Sequence, residues 1–292
     1  MKYQIEHLTR YDYDQEVSAS HHLAWLKPRS GAGQVVEDFS IRVEPTPAEV
    51  AFSVDYFGNE VQHFALQELH DSLTVVTRSE VSLVKEYAAS AFVSPEWESV
   101  PEEVRTAEGG ESLSAYEFTF ASPYISFAPE YEEYAKPFFS SGTPLLEGVG
   151  AMTRQIHEDF RFDPTATTVA TPLATVFGEK RGVCQDFAHF QIACLRMLGI
   201  PARYVSGYVR TEPPPGQARL LGADATHAWV AVFCPGLGWT EFDPTNNVIP
   251  SDTHVRVAYG RDYGDISPVR GTVVGGSGQR LTIGVTMTPL SE

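Results

Sequence analysis

The chain has 292 residues, 42% of them hydrophobic and 20% charged, an ordinary globular composition with length enough for one or two buried cores. Twenty-one basic residues against 38 acidic ones leave a net charge of −17, which argues against a nucleic-acid partner or an anionic membrane surface. No apolar run reaches the ~18 residues of a membrane helix, and the opening Met1-Lys2-Tyr3-Gln4-Ile5-Glu6-His7 lacks a signal peptide's apolar stretch, so the expected setting is cytoplasmic.

Residues 1–90 alternate with period 2. Phe39, Ile41 and Val43 interleave with polar neighbours, as do Phe52, Val54 and Tyr56, and Leu73, Val75, Thr77, Ser79, Val81 and Leu83 continue the pattern. Apolar side chains at every second position bury one face of a sheet, so an all-β, sandwich-like N-terminal domain is expected. Phe57-Gly58-Asn59-Glu60 supplies the tight turn between two of these strands.

Residues 91–143 hold ten glutamates, only Arg105 and Lys136 as basic residues, and eleven aromatic rings. That many rings disfavour disorder and point to a connector packed on its neighbour. Residues 144–292 are expected to form the catalytic core. Leu145, Val149, Met152, Ile156 and Phe160 mark a helical stripe, and Thr171-Pro172 resembles an N-cap followed by proline at the first helical position. A second long helix is expected from about Gly182 to Leu198, ended by Gly199-Ile200-Pro201. Strands follow at 203–209, 226–233 and 239–242, and the alternating Leu281, Ile283, Val285 and Met287 add at least one more, read as a C-terminal extension of the core.

Three cysteines cannot form a disulfide framework, and each alone is most often a packing residue. Cys184 differs from the others in its setting. Arg181-Gly182-Val183-Cys184-Gln185-Asp186-Phe187 puts it in the first turn of the second long helix, where unpaired N–H groups and the positive dipole end favour a thiolate and can bind an oxyanion. Cys194 lies deep in the same helix and Cys234 beside a Pro-Gly turn, so both read as core. The segment from Thr226 to Thr245 reads as two strands joined over Pro235-Gly236-Leu237-Gly238, and hairpin register puts the partner of His227 between residues 243 and 246. Asp243 is therefore the carboxylate expected beside His227, with one ring nitrogen on the acid and the other facing the thiol. His189 lies about 140° around the helix from Cys184 and is read as structural. Gly31-Ala32-Gly33 lacks a dinucleotide fingerprint, Gly275-Gly276-Ser277-Gly278 fails the nucleophile-elbow pattern, and the nine histidines show no zinc spacing.

Arg181 to His189, Leu198 to Tyr208, His227-Ala228-Trp229-Val230, Gly238-Trp239 and Phe242-Asp243-Pro244-Thr245 resemble the bacterial transglutaminase-like family, whose members are labelled transglutaminase-like enzymes or cysteine proteases. The resemblance is densest over 145–262; the N-terminal β region and the Gly260 to Gly271 segment resemble the family too. It implies an α+β protein with a papain-like core and a catalytic triad of Cys184, His227 and Asp243. The expected activity is cysteine-dependent acyl transfer on a protein or peptide amide, hydrolysis or deamidation ahead of cross-linking, with no metal or organic cofactor. A non-catalytic scaffold is the alternative. Trp229 and Trp239 are placed in the core or at the border of the acyl site.

Overall fold

A computed structural model describes residues 1–31, 33–84, 94–211 and 225–290. In chain order the N-terminal strands are β1 (Lys2–Ala24), β2 (Gln34–Glu44), β3 (Val50–Val54), β4 (Glu60–Leu66) and β5 (His70–Leu83). Three short helices follow, α1 (Ser99–Thr106), α2 (Gly110–Tyr116) and α3 (Pro129–Ala135), then α4 (Leu145–Asp159), β6 (Arg161–Phe162), α5 (Leu173–Glu179), β7 (Arg181–Gly182) and α6 (Cys184–Met197). The chain ends with β8 (Ala202–Val209), β9 (Ala225–Cys234), β10 (Gly238–Phe242), β11 (His254–Gly260), β12 (Val269–Gly275) and β13 (Gln279–Leu290).

β1 is the spine of a seven-stranded sheet. β5 and β4 lie end to end along one side of it, β13 and β12 end to end along the other, and β2 and β3 add the outer strands. A bulge between Val17 and Ala19 moves the inward set of β1 from Tyr3, Ile5, His7, Thr9 and Val17 to Ser20, His22 and Ala24. Bulges of this kind bend a strand while keeping one face buried. One cluster, with Ala24 and Phe64 from one half of the sheet and Val43, Leu73 and Val75 from the other, is enclosed by this bend. The expected sandwich-like packing is thus made by one sheet folded over its own core. The expected turn is present, with Gly58 at φ +77° and the Asp55 carboxylate accepting from the Phe57 and Asn59 amides.

Two sequence expectations change here. The C-terminal strands were expected to extend the catalytic core of 144–292; β12 and β13 instead pair with β1 and complete the N-terminal sheet. Of the alternating quartet, only Val285 and Met287 are buried; Leu281 and Ile283 share their face of the strand but are exposed, paired with Tyr11 and Thr9 of β1. The second is Phe52, Val54 and Tyr56, whose alternation predicted burial but which are exposed: β3 is the outer strand beside β4, and Tyr56 lies in the turn after it. The expected boundary between residues 90 and 91 lies outside the described residues.

The remainder is a helical layer on a four-stranded antiparallel sheet ordered β10-β9-β8-β11. α6 is its centre: every residue from Asp186 to Arg196 is buried, and it packs on β8 and β9. The α4 stripe is buried as expected. The segment 94–143 supplies Val100, Val104, Ile125, Tyr131 and Phe139 to the same core, with Trp97, Tyr116, Tyr134 and Phe138 packed against it, whereas Phe120 and Phe127 are exposed. The N-cap of α5 is Pro172 rather than Thr171, whose hydroxyl accepts from the Thr168 amide instead.

The two sheets meet at the free edge of β11. The Gln34 amide accepts from the Arg256 N–H (2.9 Å) and donates to the Arg256 carbonyl (2.8 Å). Asn59 does the same for Tyr259, accepting from its N–H and donating to its carbonyl, both at 2.8 Å. A side-chain amide has the donor and acceptor of a peptide, so these two residues replace a neighbouring strand and cover an edge that would otherwise be left unpaired.

Candidate active site

Cys184 begins α6. The strand before it, β7, pairs in parallel with β6, which fixes the entry of the chain. Asp186 then accepts from the Val183 N–H (2.8 Å) and the Thr167 hydroxyl (2.6 Å), satisfying a first-turn donor that has no carbonyl one turn back. Burial pushes the Asp186 carboxyl up, and the two hydrogen bonds act against that rise. A side chain at Gly182 would run into Asp186, so this glycine makes room for the turn's anchor rather than for the sulfur.

His227 stands near the start of β9, opposite Gly207 of β8. Trp229 stacks near it, 6.0 Å between ring centroids, and a Cβ on Gly207 would strike the indole. Trp229 donates to Glu241 (2.9 Å), and Glu241 pairs with Arg256 of β11 (2.7 Å). The ladder between β9 and β10 ends at Phe242 opposite Val230, within the expected register. Asp243 leaves that ladder and bridges Val248, so it reaches His227 from a turn and not as a cross-strand partner.

The Asp243 carboxylate is fully buried and fully used. Oδ1 accepts from the Thr245 and Asn246 amides at 2.9 and 3.2 Å. Oδ2 meets His227 Nε2 at 2.8 Å, Asn246 Nδ2 at 2.6 Å and His254 Nε2 at 3.1 Å. The turn-capping and histidine-holding roles of this aspartate coexist, one on each oxygen. With Nε2 engaged, Nδ1 is the ring nitrogen left for Cys184, which lies close enough to act on the charge of the imidazole.

Burial works against a charged His227, but the hydrogen bonds to Asp243 and Cys184 and their charges outweigh it, and the pKa rises to about 10. Burial alone would raise Asp243; donors from His227, His254 and Asn246 hold it below the usual carboxylate range instead. The arrangement is a buried, fully hydrogen-bonded ion pair with a sulfur at its other end. Cys194 and Cys234 are buried elsewhere, and burial pushes the Cys234 thiol up to about 11 and Cys194 further.

Of the three residues singled out in sequence, His227 and Asp243 are hydrogen-bonded to each other, and Cys184 acts on the His227 charge. His189 is structural as expected: it is buried, accepts from the Tyr263 amide (3.2 Å), and burial lowers its pKa to about 3. Trp239 is not at the site; it packs against Phe118 and Phe233 with the Arg203 guanidinium over its ring. Sequence reasoning missed Asn246 and His254. The first follows Asp243-Pro244-Thr245 in an evident turn and was open to discovery; the second lies on a strand whose register no local pattern reveals.

Residues 3–82 match the bacterial transglutaminase-like N-terminal region, and residues 132–244 match the transglutaminase-like superfamily core. An uncharacterised protein of Mycobacterium tuberculosis is 36% identical over 280 residues, covering 93% of this chain and 87% of that one. This chain belongs to the bacterial transglutaminase-like family. An uncharacterised Mycobacterium leprae protein is 30% identical over 291 residues, 98% of each chain. A protein-glutamine gamma-glutamyltransferase of Pseudomonas aeruginosa is 33% identical over 128 residues, 37% of this chain and 19% of that one. A crystal structure from Cytophaga hutchinsonii, provisionally described as a cysteine protease, shares the fold with a TM-score of 0.75 at 21% identity, covering all of this chain and 92% of the other. The typical chemistry of this superfamily is cysteine-dependent acyl transfer. No helix among the described residues of this transglutaminase-like chain is long and apolar enough to cross a membrane.

Proposed function

We propose that this transglutaminase-like chain is a cysteine-dependent acyl-transfer enzyme acting on protein or peptide amides, with Cys184 as nucleophile, His227 as general base and acid, and Asp243 as the group that orients the histidine. One observation carries the proposal: a buried imidazole is held by Asp243 at 2.8 Å, and its charge is favoured by Cys184, the first residue of a helix. His227 takes the thiol proton, and the thiolate attacks the amide carbonyl. The first-turn N–H of Cys184 is one donor to the resulting oxyanion. His227 returns the proton to the departing amine as the tetrahedral intermediate collapses to a thioester.

Water or a second amine then takes the acyl group, releasing the thiol. Hydrolysis or deamidation is the first reading, because water needs no site of its own whereas cross-linking needs a bound amine shielded from water. Three free thiols fit a reducing, cytoplasmic setting, which is part of the proposal. The test is to incubate wild type and Cys184→Ala with a glutamine-containing peptide library, with and without a primary amine, following product masses. Hydrolysed, deamidated or amine-coupled products that require Cys184 support the proposal. Identical product profiles from both proteins, together with no acyl adduct on Cys184, favour a non-catalytic scaffold.

A further inference from the structure

We propose that His254 is a positioning residue for this site, its Nε2–H gripping the same Asp243 oxygen that holds His227, so that one carboxylate is shared between two imidazoles. The inference rests on the reading of His227 and Asp243 given above. His254 opens β11 and is 4% exposed. Its Nε2 lies 3.1 Å from Asp243 Oδ2, and its Nδ1 lies 3.0 Å from the Thr253 hydroxyl. Its ring meets the Trp229 indole edge-on at 5.3 Å and sits 6.0 Å from the His227 ring.

Its hydrogen-bond partners define which ring nitrogen donates. An ionised carboxylate only accepts, so His254 must present N–H on Nε2. A neutral ring then has a bare Nδ1, and the Thr253 hydroxyl is placed to donate into it. The groups facing this ring are Asp243, His227 with Cys184 beyond it, and the Glu241–Arg256 pair that holds Trp229. Its strand is pinned on the far side as well. Tyr3 donates to the Asp252 carbonyl at 2.9 Å, and Gln34 clamps Arg256. The N-terminal sheet therefore helps to set where His254 lies.

A second N–H on Oδ2 has two effects. It fixes the carboxylate's rotation, and it draws off part of the negative charge that would otherwise act on His227 alone. A shared carboxylate holds the imidazolium less tightly, which keeps its proton transferable to a leaving amine. Removing the His254 N–H while keeping the ring volume should therefore raise the His227 pKa. A residue that merely packs against Trp229 would leave that value unchanged, or lower it by loosening the pair.

The experiment is nitrogen NMR of the histidines in the full-length chain across pH, for wild type, His254→Phe and His254→Gln. In wild type, His254 is expected to carry its N–H on Nε2. H254F is expected to raise the His227 pKa by about half a unit or more, and H254Q, which restores an N–H donor, to return it towards wild type. A wild-type His254 protonated on Nδ1, or an H254F that leaves His227 unchanged or lower, overturns the proposal. If H254F does not fold, the wild-type tautomer decides alone. Iodoacetamide labelling of Cys184 in wild type and His227→Ala separately tests the underlying reading: slow labelling in both would end that reading whatever His254 does.

Discussion

At the scale of single residues, the site is an exercise in making a buried charge affordable. Asp243 has no solvent, yet five donors reach its two oxygens. Removing one partner of such a pair leaves the other buried and uncompensated, so Asp243→Ala is expected to cost about 3–5 kcal/mol in urea unfolding. The pH dependence of that loss has a defined sign. His227 is raised to about 10 when folded, so its contribution is complete below its unfolded value of about 6.5 and fades as pH rises towards 10. Asp243 is held low, so its contribution is complete above about pH 4 and fades below it. The destabilisation by Asp243→Asn should therefore be greatest between about pH 4 and 6.5 and smaller at pH 10. Cys184→Ala removes one of the groups that raise His227 and should lower its pKa below about 10, as read by NMR titration.

At the scale of elements, legibility depended on whether a signal is local. The start of α6 was readable to within two residues, because a cysteine after Arg-Gly-Val and before a helical stripe is a local pattern. The pairing of His227 with Asp243 was readable because one short hairpin limits the register. The partners of β1 were not, since β12 and β13 return from the far end of the chain and their alternation names no neighbour. The same limit hid His254, and it hid Gln34 and Asn59, which look like unremarkable turn or strand residues until β11 is beside them. Asn59→Ala takes the partner from both the N–H and the carbonyl of buried Tyr259, and Gln34→Ala takes the acceptor from the Arg256 N–H, whose carbonyl keeps the Arg29 amide. Each is expected to cost about 1–3 kcal/mol in urea unfolding. Gly207→Ala should cost about 1–3 kcal/mol by overpacking against the Val255 carbonyl and the Trp229 ring.

At the scale of the whole molecule, the β-rich N-terminal region and the helical layer share one core. Tyr3, Ile5, Val81, Val285 and Met287 belong to the same buried cluster as Phe187, Phe190 and Leu195 of α6. Composition predicted two regions and this continuity was not visible, because it depends on which face each strand turns inward after the slip in β1. A shared core implies cooperative loss. Tryptophan fluorescence and exposure of the Cys194 thiol should follow one urea transition, and two separated transitions would mean that the sheets unfold independently. The central claim concerns the sulfur at the mouth of α6, and competitive alkylation with peptide mapping tests it most directly. The account predicts that Cys184 is labelled to one equivalent well before Cys194 or Cys234, and that this advantage disappears in His227→Ala. Equal and slow labelling of all three thiols in the wild-type protein, unchanged by the loss of His227, would contradict it.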